Sequence, residues 1–316
     1  MLTILTQAFR RTTQNWKIVL VIFLVNFSLG LCLALPMFNI LQRESNNSMA
    51  FDNLVSDFDF TVFSDFLRIS GELLKPLLPI GLLLTAFYAL LNVFFSGGIL
   101  SQFTIRGNFR LADFFKNSAH HFVRFLLLFL IQLLFLLLAL GICLVLFGVF
   151  GAIGYGGTEL KFFAWMIFPI VLAFFYFTYL FNVGEYAKVL LHRDPLLNPW
   201  KAFIKAAGYV FRNFKTMQIY WSVLLLSFLF LLLYLWLESS IGMTSGFTIW
   251  FMFLTQQVFI FGRVFIRVWN LSNSFDYLSL KPIPLITKPP IIESILIEAT
   301  NETSAEEGEQ ENKLSE

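Results

Sequence analysis

Lysine and arginine are sorted to one side of six long apolar stretches, and that sorting limits the chain to one class of fold. The stretches cover residues 18–35, 77–95, 125–150, 162–183, 219–237 and 247–266. A bilayer core about 30 Å thick needs roughly 17–25 apolar residues per helix. Each stretch therefore predicts a transmembrane helix, and the expected fold is all-α and polytopic. With 58% hydrophobic residues and a mean hydropathy of +0.75, the chain is too apolar for a soluble globule.

Orientation follows from the charges. With a cytoplasmic amino terminus, six spans return the carboxyl terminus to the cytoplasm. Cytoplasmic segments then hold 18 of the 22 Lys and Arg, leaving only Arg43, Arg68, Lys75 and Lys161 outside. The positive-inside rule favours this arrangement. Both termini are then expected on the cytoplasmic side of the membrane. The first stretch has a basic leader (Arg10, Arg11, Lys17) but is longer than a signal-peptide core, so it is read as a retained helix. Cys32 and Cys143 both lie within apolar stretches and read as buried small hydrophobes.

Three segments at the cytoplasmic face predict in-plane amphipathic helices. In residues 1–16, Leu5, Phe9, Thr12 and Trp16 share a face. In residues 110–122 the face is Leu111, Phe114, Phe115 and Phe122. The third opens at Asn198-Pro199, a favoured cap followed by a favoured first helical residue, and presents Phe203, Ala206, Ala207, Val210, Phe211 and Phe214. Each precedes a pair of spans. The three are read either as one helix-plus-hairpin repeat used three times or as separate helices sharing the pattern that any in-plane helix has.

Between the first two spans, residues 37–75 form an acidic, Phe-rich outer loop expected to hold one or two helices. Span two is expected to end at Ser96-Gly97-Gly98, Pro169 to kink span four, and the span-four helix to continue to Arg193. Residues 1–280 form the membrane domain. Residues 281–316 form a Pro-rich linker and an acidic tail, with eight Glu from Glu293 onward, expected to be disordered.

No nucleotide-binding motif or nucleophile turn is present, and nothing points to a cofactor, a metal or nucleic acid. His120 and His121 are adjacent and cannot chelate as an i, i+4 pair; His192 would join them only through tertiary contact. Polar residues inside the spans are the better pointers, because they are costly in lipid. Gln256, Gln257, Arg263 and Arg267, with Asn92 or Asn182 opposite, form the candidate site for an anionic lipid or a polar substrate. The competing reading has the glutamines joining helices and the arginines snorkelling to the interface.

The run Phe94-Phe95-Ser96-Gly97-Gly98-Ile99, followed by 109–122 and span three, and the run Tyr186-Ala187-Lys188-Val189-Leu190, followed by Lys201-Ala202-Phe203, resemble poorly characterised six-span bacterial membrane proteins. These are related to the membrane domain found beside glycerophosphodiester phosphodiesterases. The resemblance implies the six-span fold over residues 1–280 and supplies no catalytic residues. It also implies a bacterial cytoplasmic membrane as the location, and no soluble phosphodiesterase domain is expected among these residues. The expected role is a non-enzymatic scaffold, assembly or envelope-homeostasis factor; the alternative is a transporter or lipid-handling protein. The expected partners are membrane lipids, with a protein partner or a second copy compatible.

Overall fold

The computed structural model describes residues 2–45, 60–69, 71, 75–104, 109–241 and 245–283. Among them the chain is helical, without strands: α1 (Leu2–Gln14), α2 (Trp16–Ser45), α3 (Phe60–Ile69), α4 (Leu77–Thr104), α5 (Leu111–Gly154), α6 (Glu159–Arg193), α7 (Pro199–Arg212), α8 (Phe214–Ser240) and α9 (Gly246–Leu280). Six of these, α2, α4, α5, α6, α8 and α9, are long and apolar enough to cross a membrane. Only 6–17% of each apolar window is buried inside the protein. Apolar surface that faces outward on every span requires a hydrocarbon solvent, so the chain is an all-α polytopic membrane protein.

The spans pack in chain order and close on themselves. Each contacts the next, and α9 returns to α2; α4, α6 and α9 also touch one another across the middle. At one end the bundle is thickened by α1, which packs on α9, and by α7, which packs on α6 and α5. Most fully buried residues gather at this thickened end, including Phe95–Ser101 of α4 and Leu271–Leu278 of α9.

Two asparagines separate surface helices from spans. The Asn15 amide donates to the Arg11 carbonyl at 2.9 Å, and the Asn213 amide donates to the Tyr209 carbonyl at 3.0 Å. Asparagine offers the backbone a local alternative to the helical ladder and so breaks it at these points. The expected surface helix over 110–122 has no such break. It is continuous with span three in the single 44-residue helix α5, about 66 Å long at 1.5 Å per residue. Ser118 does not interrupt it, because its hydroxyl donates back to the Phe114 carbonyl at 2.8 Å. A strict threefold repeat is therefore broken at its middle unit.

Span two does not end at Ser96–Gly98; α4 continues to Thr104. The glycines serve a helix crossing instead. A Cβ on Gly98 would lie 2.6 Å from Cε2 of Phe114 and 2.3 Å from Oγ of Ser118. Glycine costs a helix about 1 kcal/mol, and close packing of α4 on α5 offsets it. The α6 extension to Arg193 is as expected, with Pro169 inside the helix.

The surface helices bury slightly different faces from those expected. In α1, Ala8 and Thr12 are fully buried, whereas Phe9, and Trp16 at the start of α2, are half exposed. The small Ala8 lets the backbones approach: Ser272 Oγ donates to the Ala8 carbonyl at 3.3 Å, and Trp269 Nε1 donates to the Leu5 carbonyl at 3.1 Å. In α5, Phe114 is buried and Phe115 is not. In α7, Ala202, Phe203, Ala206 and Val210 are buried, but Phe211, and Phe214 at the start of α8, face outward. The α7 start follows its sequence signal: Asn198 Oδ1 accepts from Trp200 N at 3.1 Å, with Pro199 at the first position. Arg124 of α5 anchors the preceding turn by donating to the carbonyls of Asp194 and Leu197 at 3.0 and 2.8 Å.

The connection between α2 and α4 is described only in part. Its helix α3 carries an exposed Asp65–Arg68 pair at 3.1 Å. The expected helix around Leu54 and Phe58, and the acidic tail, lie outside the described residues.

Candidate functional site

Arg263 and Arg267 stand one turn apart on α9 and face the same volume. That cavity, about 540 Å³, is walled by α2, α4, α8 and α9. Its polar lining is Asn26 from α2, Tyr88 from α4, Tyr220 and Ser227 from α8, and Arg263, Arg267 and Asn270 from α9. Among the described residues, the two arginines are the only charged ones on that wall. Asn26 Oδ1 is buried and accepts no hydrogen bond from the described residues.

A second cavity of about 310 Å³ lies among α4, α5 and α6. Tyr88 and Arg267 line both volumes, so the two adjoin across those side chains. The second cavity is mainly apolar, with Phe125, Leu128, Phe129, Leu136 and Phe181 on its walls. Its remaining polar residues are Thr85, Asn92, Ser96, Gln132, Glu185 and Lys188. Glu185 and Lys188 pair at 2.9 Å, so together they add no net charge beside Arg267. Gln132 reaches α6 only because residue 184 is glycine: a Cβ there would lie 2.4 Å from the Gln132 Oε1.

Arg267 is fixed and Arg263 is not. Both terminal nitrogens of Arg267 donate to Asn92, one to its side-chain Oδ1 and the other to its backbone carbonyl. This joins α9 to α4 across the bundle. Arg263 stacks its guanidinium 6.0 Å from the Phe259 ring centroid and is not paired with a carboxylate among the described residues.

Of the six residues expected at the site, Arg263, Arg267 and Asn92 come together. The other three do not. Asn182 is buried against α8, where its amide donates to the Met217 sulfur at 3.2 Å. Gln256 turns to Tyr234 and thereby joins α9 to α8. Gln257 also lies off the cavity walls. The helix-joining role that competed for these amides thus holds for Asn182 and Gln256. Residues that sequence reasoning passed over are Tyr88, Tyr220, Glu185 and Lys188. Glu185 carried a usable signal: it is the one carboxylate in α6 beyond the Glu159 of its first turn.

The three histidines do meet. The His121 ring centroid lies 4.9 Å from both the His120 and the His192 centroids, and His192 Nε2 is 3.3 Å from Thr104 Oγ1. Among the described residues no group of His, Cys, Asp and Glu is arranged to hold a metal ion.

At the thickened end a second polar cluster links the termini. Arg11 and Arg193 each set a guanidinium 4.8 Å from the Phe275 ring centroid, and Arg193 also donates to the Phe275 carbonyl at 2.9 Å. Tyr186, Tyr209 and Tyr277 converge from α6, α7 and α9. Burial, together with the neighbouring Tyr277, raises the Tyr209 hydroxyl well above the ordinary phenol range. These contacts lock helices together; they enclose no cavity comparable to that at Arg263.

The sequence matches no protein-family model, and no curated protein or solved structure is similar to it.

Proposed function

We propose that the chain binds an anionic amphiphile from the bilayer in the cavity walled by α2, α4, α8 and α9. One observation carries this reading: two arginines, one turn apart, face a volume of about 540 Å³ that has no carboxylate on its wall among the described residues. The size is within the range of small-molecule sites. Arginine within a span is costly, and its guanidinium suits carboxylate or phosphate recognition by paired hydrogen bonds. The role is handling of a lipid or similar amphiphile rather than catalysis. A polar cavity between spans favours this over the scaffold, assembly or envelope-homeostasis reading, which needs no internal volume.

The setting belongs to the same proposal. The charge sorting supports both termini on the cytoplasmic side, with α1 and α7 as in-plane amphipathic helices at that face, and the resemblance to six-span bacterial proteins points to a bacterial cytoplasmic membrane. The likeness to the membrane domain found beside glycerophosphodiester phosphodiesterases is part of this proposal too, with no phosphodiesterase activity attached.

Native mass spectrometry on the purified protein tests the reading. The wild type should retain anionic lipid through detergent exchange. Ser227→Trp, which fills the cavity, should lose it without lowering the melting temperature appreciably. Equal retention in both, or equal retention of anionic and zwitterionic lipids, would return the chain to the scaffold class.

A further inference from the structure

We infer that the cavity ligand is a phosphate monoester carried on an acyl chain, which narrows the amphiphile-binding reading above and rests on it. The argument starts from charge. Among the described residues the larger cavity presents two guanidiniums and no carboxylate, and the carboxylate of the adjoining cavity, Glu185, is neutralised by Lys188 at 2.9 Å. A wall charge of two is balanced by a phosphate monoester, which carries about −1.5 to −2 at pH 7. A phosphodiester headgroup or a carboxylate carries a single charge and would leave one arginine uncompensated within the bundle, a costly state.

Donor geometry points the same way. Arginine has five N–H donors. Arg267 commits donors on both terminal nitrogens to Asn92, which holds the group still and leaves the rest for a ligand. Arg263 commits none to a carboxylate among the described residues. Tyr88 and Tyr220 add hydroxyls from two other helices. Three terminal phosphate oxygens can accept from several directions at once; a diester offers two.

The second cavity accounts for the chain. It adjoins the first at Arg267 and Tyr88, its walls are largely apolar, and Leu133 and Phe181 on its lining are 39% and 45% exposed at the bundle surface. An acyl chain can pass from the phosphate site into this volume and out toward lipid. The same phosphate chemistry exists free in solution, so the two sources must be separated by experiment.

The test measures binding of phosphatidic acid, phosphatidylglycerol and inorganic phosphate to the full chain in detergent, by native mass spectrometry and by ligand-induced thermal shift. Phosphatidic acid should bind about tenfold more tightly than phosphatidylglycerol, the weight of one further charge-assisted hydrogen bond. Arg263→Gln should reduce that preference to about twofold or less, and Arg263→Lys should keep part of it. Leu133→Trp, placed at the rim of the apolar cavity, should weaken phosphatidic acid and leave inorganic phosphate unchanged. Equal binding of the two lipids overturns the monoester inference while the amphiphile reading stands. Inorganic phosphate binding as tightly as phosphatidic acid overturns the acyl-chain half. Failure of every lipid to bind overturns both the inference and the reading beneath it. The wild-type comparison needs no variant, so a misfolded substitution does not remove the test.

Discussion

The Arg11 guanidinium lies 2.9 Å from the Asp276 carboxylate, joining the first helix of the chain to the last. Asp276 is almost wholly buried, with 1% of its side chain exposed, whereas Arg11 keeps 25%. The pair is thus a lock between α1 and α9 with one end in solvent. Phe275, beside it, is covered by Arg11 and by Arg193 from α6, so three helices share the joint.

Removing one partner should be worse than removing both. Asp276→Asn leaves Arg11 without its counter-charge and should cost about 2–4 kcal/mol, somewhat below a fully buried pair because Arg11 is partly solvated. The melting temperature in detergent should fall by roughly 4–10 °C. The double variant Arg11→Met, Asp276→Leu should recover most of the loss. No recovery would mean that the geometry matters here and the charge does not.

Gly98 should tolerate no side chain. Gly98→Val drives a branched group into Phe114 and Ser118 of α5, and overpacking of this kind costs about 1–3 kcal/mol. Gly98→Ala should cost less, and Gly81→Ala, which meets nothing within 4 Å, should be neutral. Folded yield by size-exclusion chromatography ranks the three. A neutral Gly98→Val would contradict the close crossing of α4 and α5.

Arg263 and Arg267 should separate in their effects. Arg267→Gln removes the link to Asn92 and should lower both the melting temperature and anionic-lipid retention. Arg263→Gln should lower retention alone, since no carboxylate depends on it. Asn92→Ala should resemble Arg267→Gln in stability. If both arginine variants only destabilise, the residues are structural and the binding role is lost.

Tyr209 should make stability fall in alkali. Its hydroxyl donates to the Lys281 carbonyl at 2.9 Å and its pKa is raised from the ordinary 10.0. A raised folded value means the protonated form is favoured in the folded state. Its contribution is complete below the unfolded pKa and is lost as pH rises through that value toward the folded one. Between about pH 9 and about pH 11, the wild type should lose more melting temperature than Tyr209→Phe. Parallel curves for the two proteins would count against the raised value.

Orientation is open to a direct check. With Cys32 and Cys143 replaced, Ser64→Cys on α3 should react with an impermeant maleimide on intact cells, and Lys116→Cys on α5 only after permeabilisation. The reverse labelling would invert the membrane and move the arginine cavity to the opposite leaflet.

The amino-acid sequence alone determined the class and the spans. Lengths of apolar residues translate directly into membrane crossings because lipid forbids unpaired backbone, so 219–237 and 247–266 could only become α8 and α9. It also determined the α7 start, since Asn198 and Pro199 act within one turn. Tertiary structure decided the rest. Gly97 and Gly98 read as a helix end by local propensity, but packing on α5 carried α4 through them. Asn182 and Asn92 have the same side chain and the same expected partner; only the packing of α6 on α8 gives Asn182 to Met217, and only the approach of α4 to α9 gives Asn92 to Arg267. Glu185 and Lys188 reached the second cavity because α6 runs unbroken past its apolar stretch, where sequence reading had put them outside the membrane. A polar residue within a span announces a cost; which neighbour meets that cost depends on helix rotation and crossing, and these are set by contacts between residues far apart in the chain.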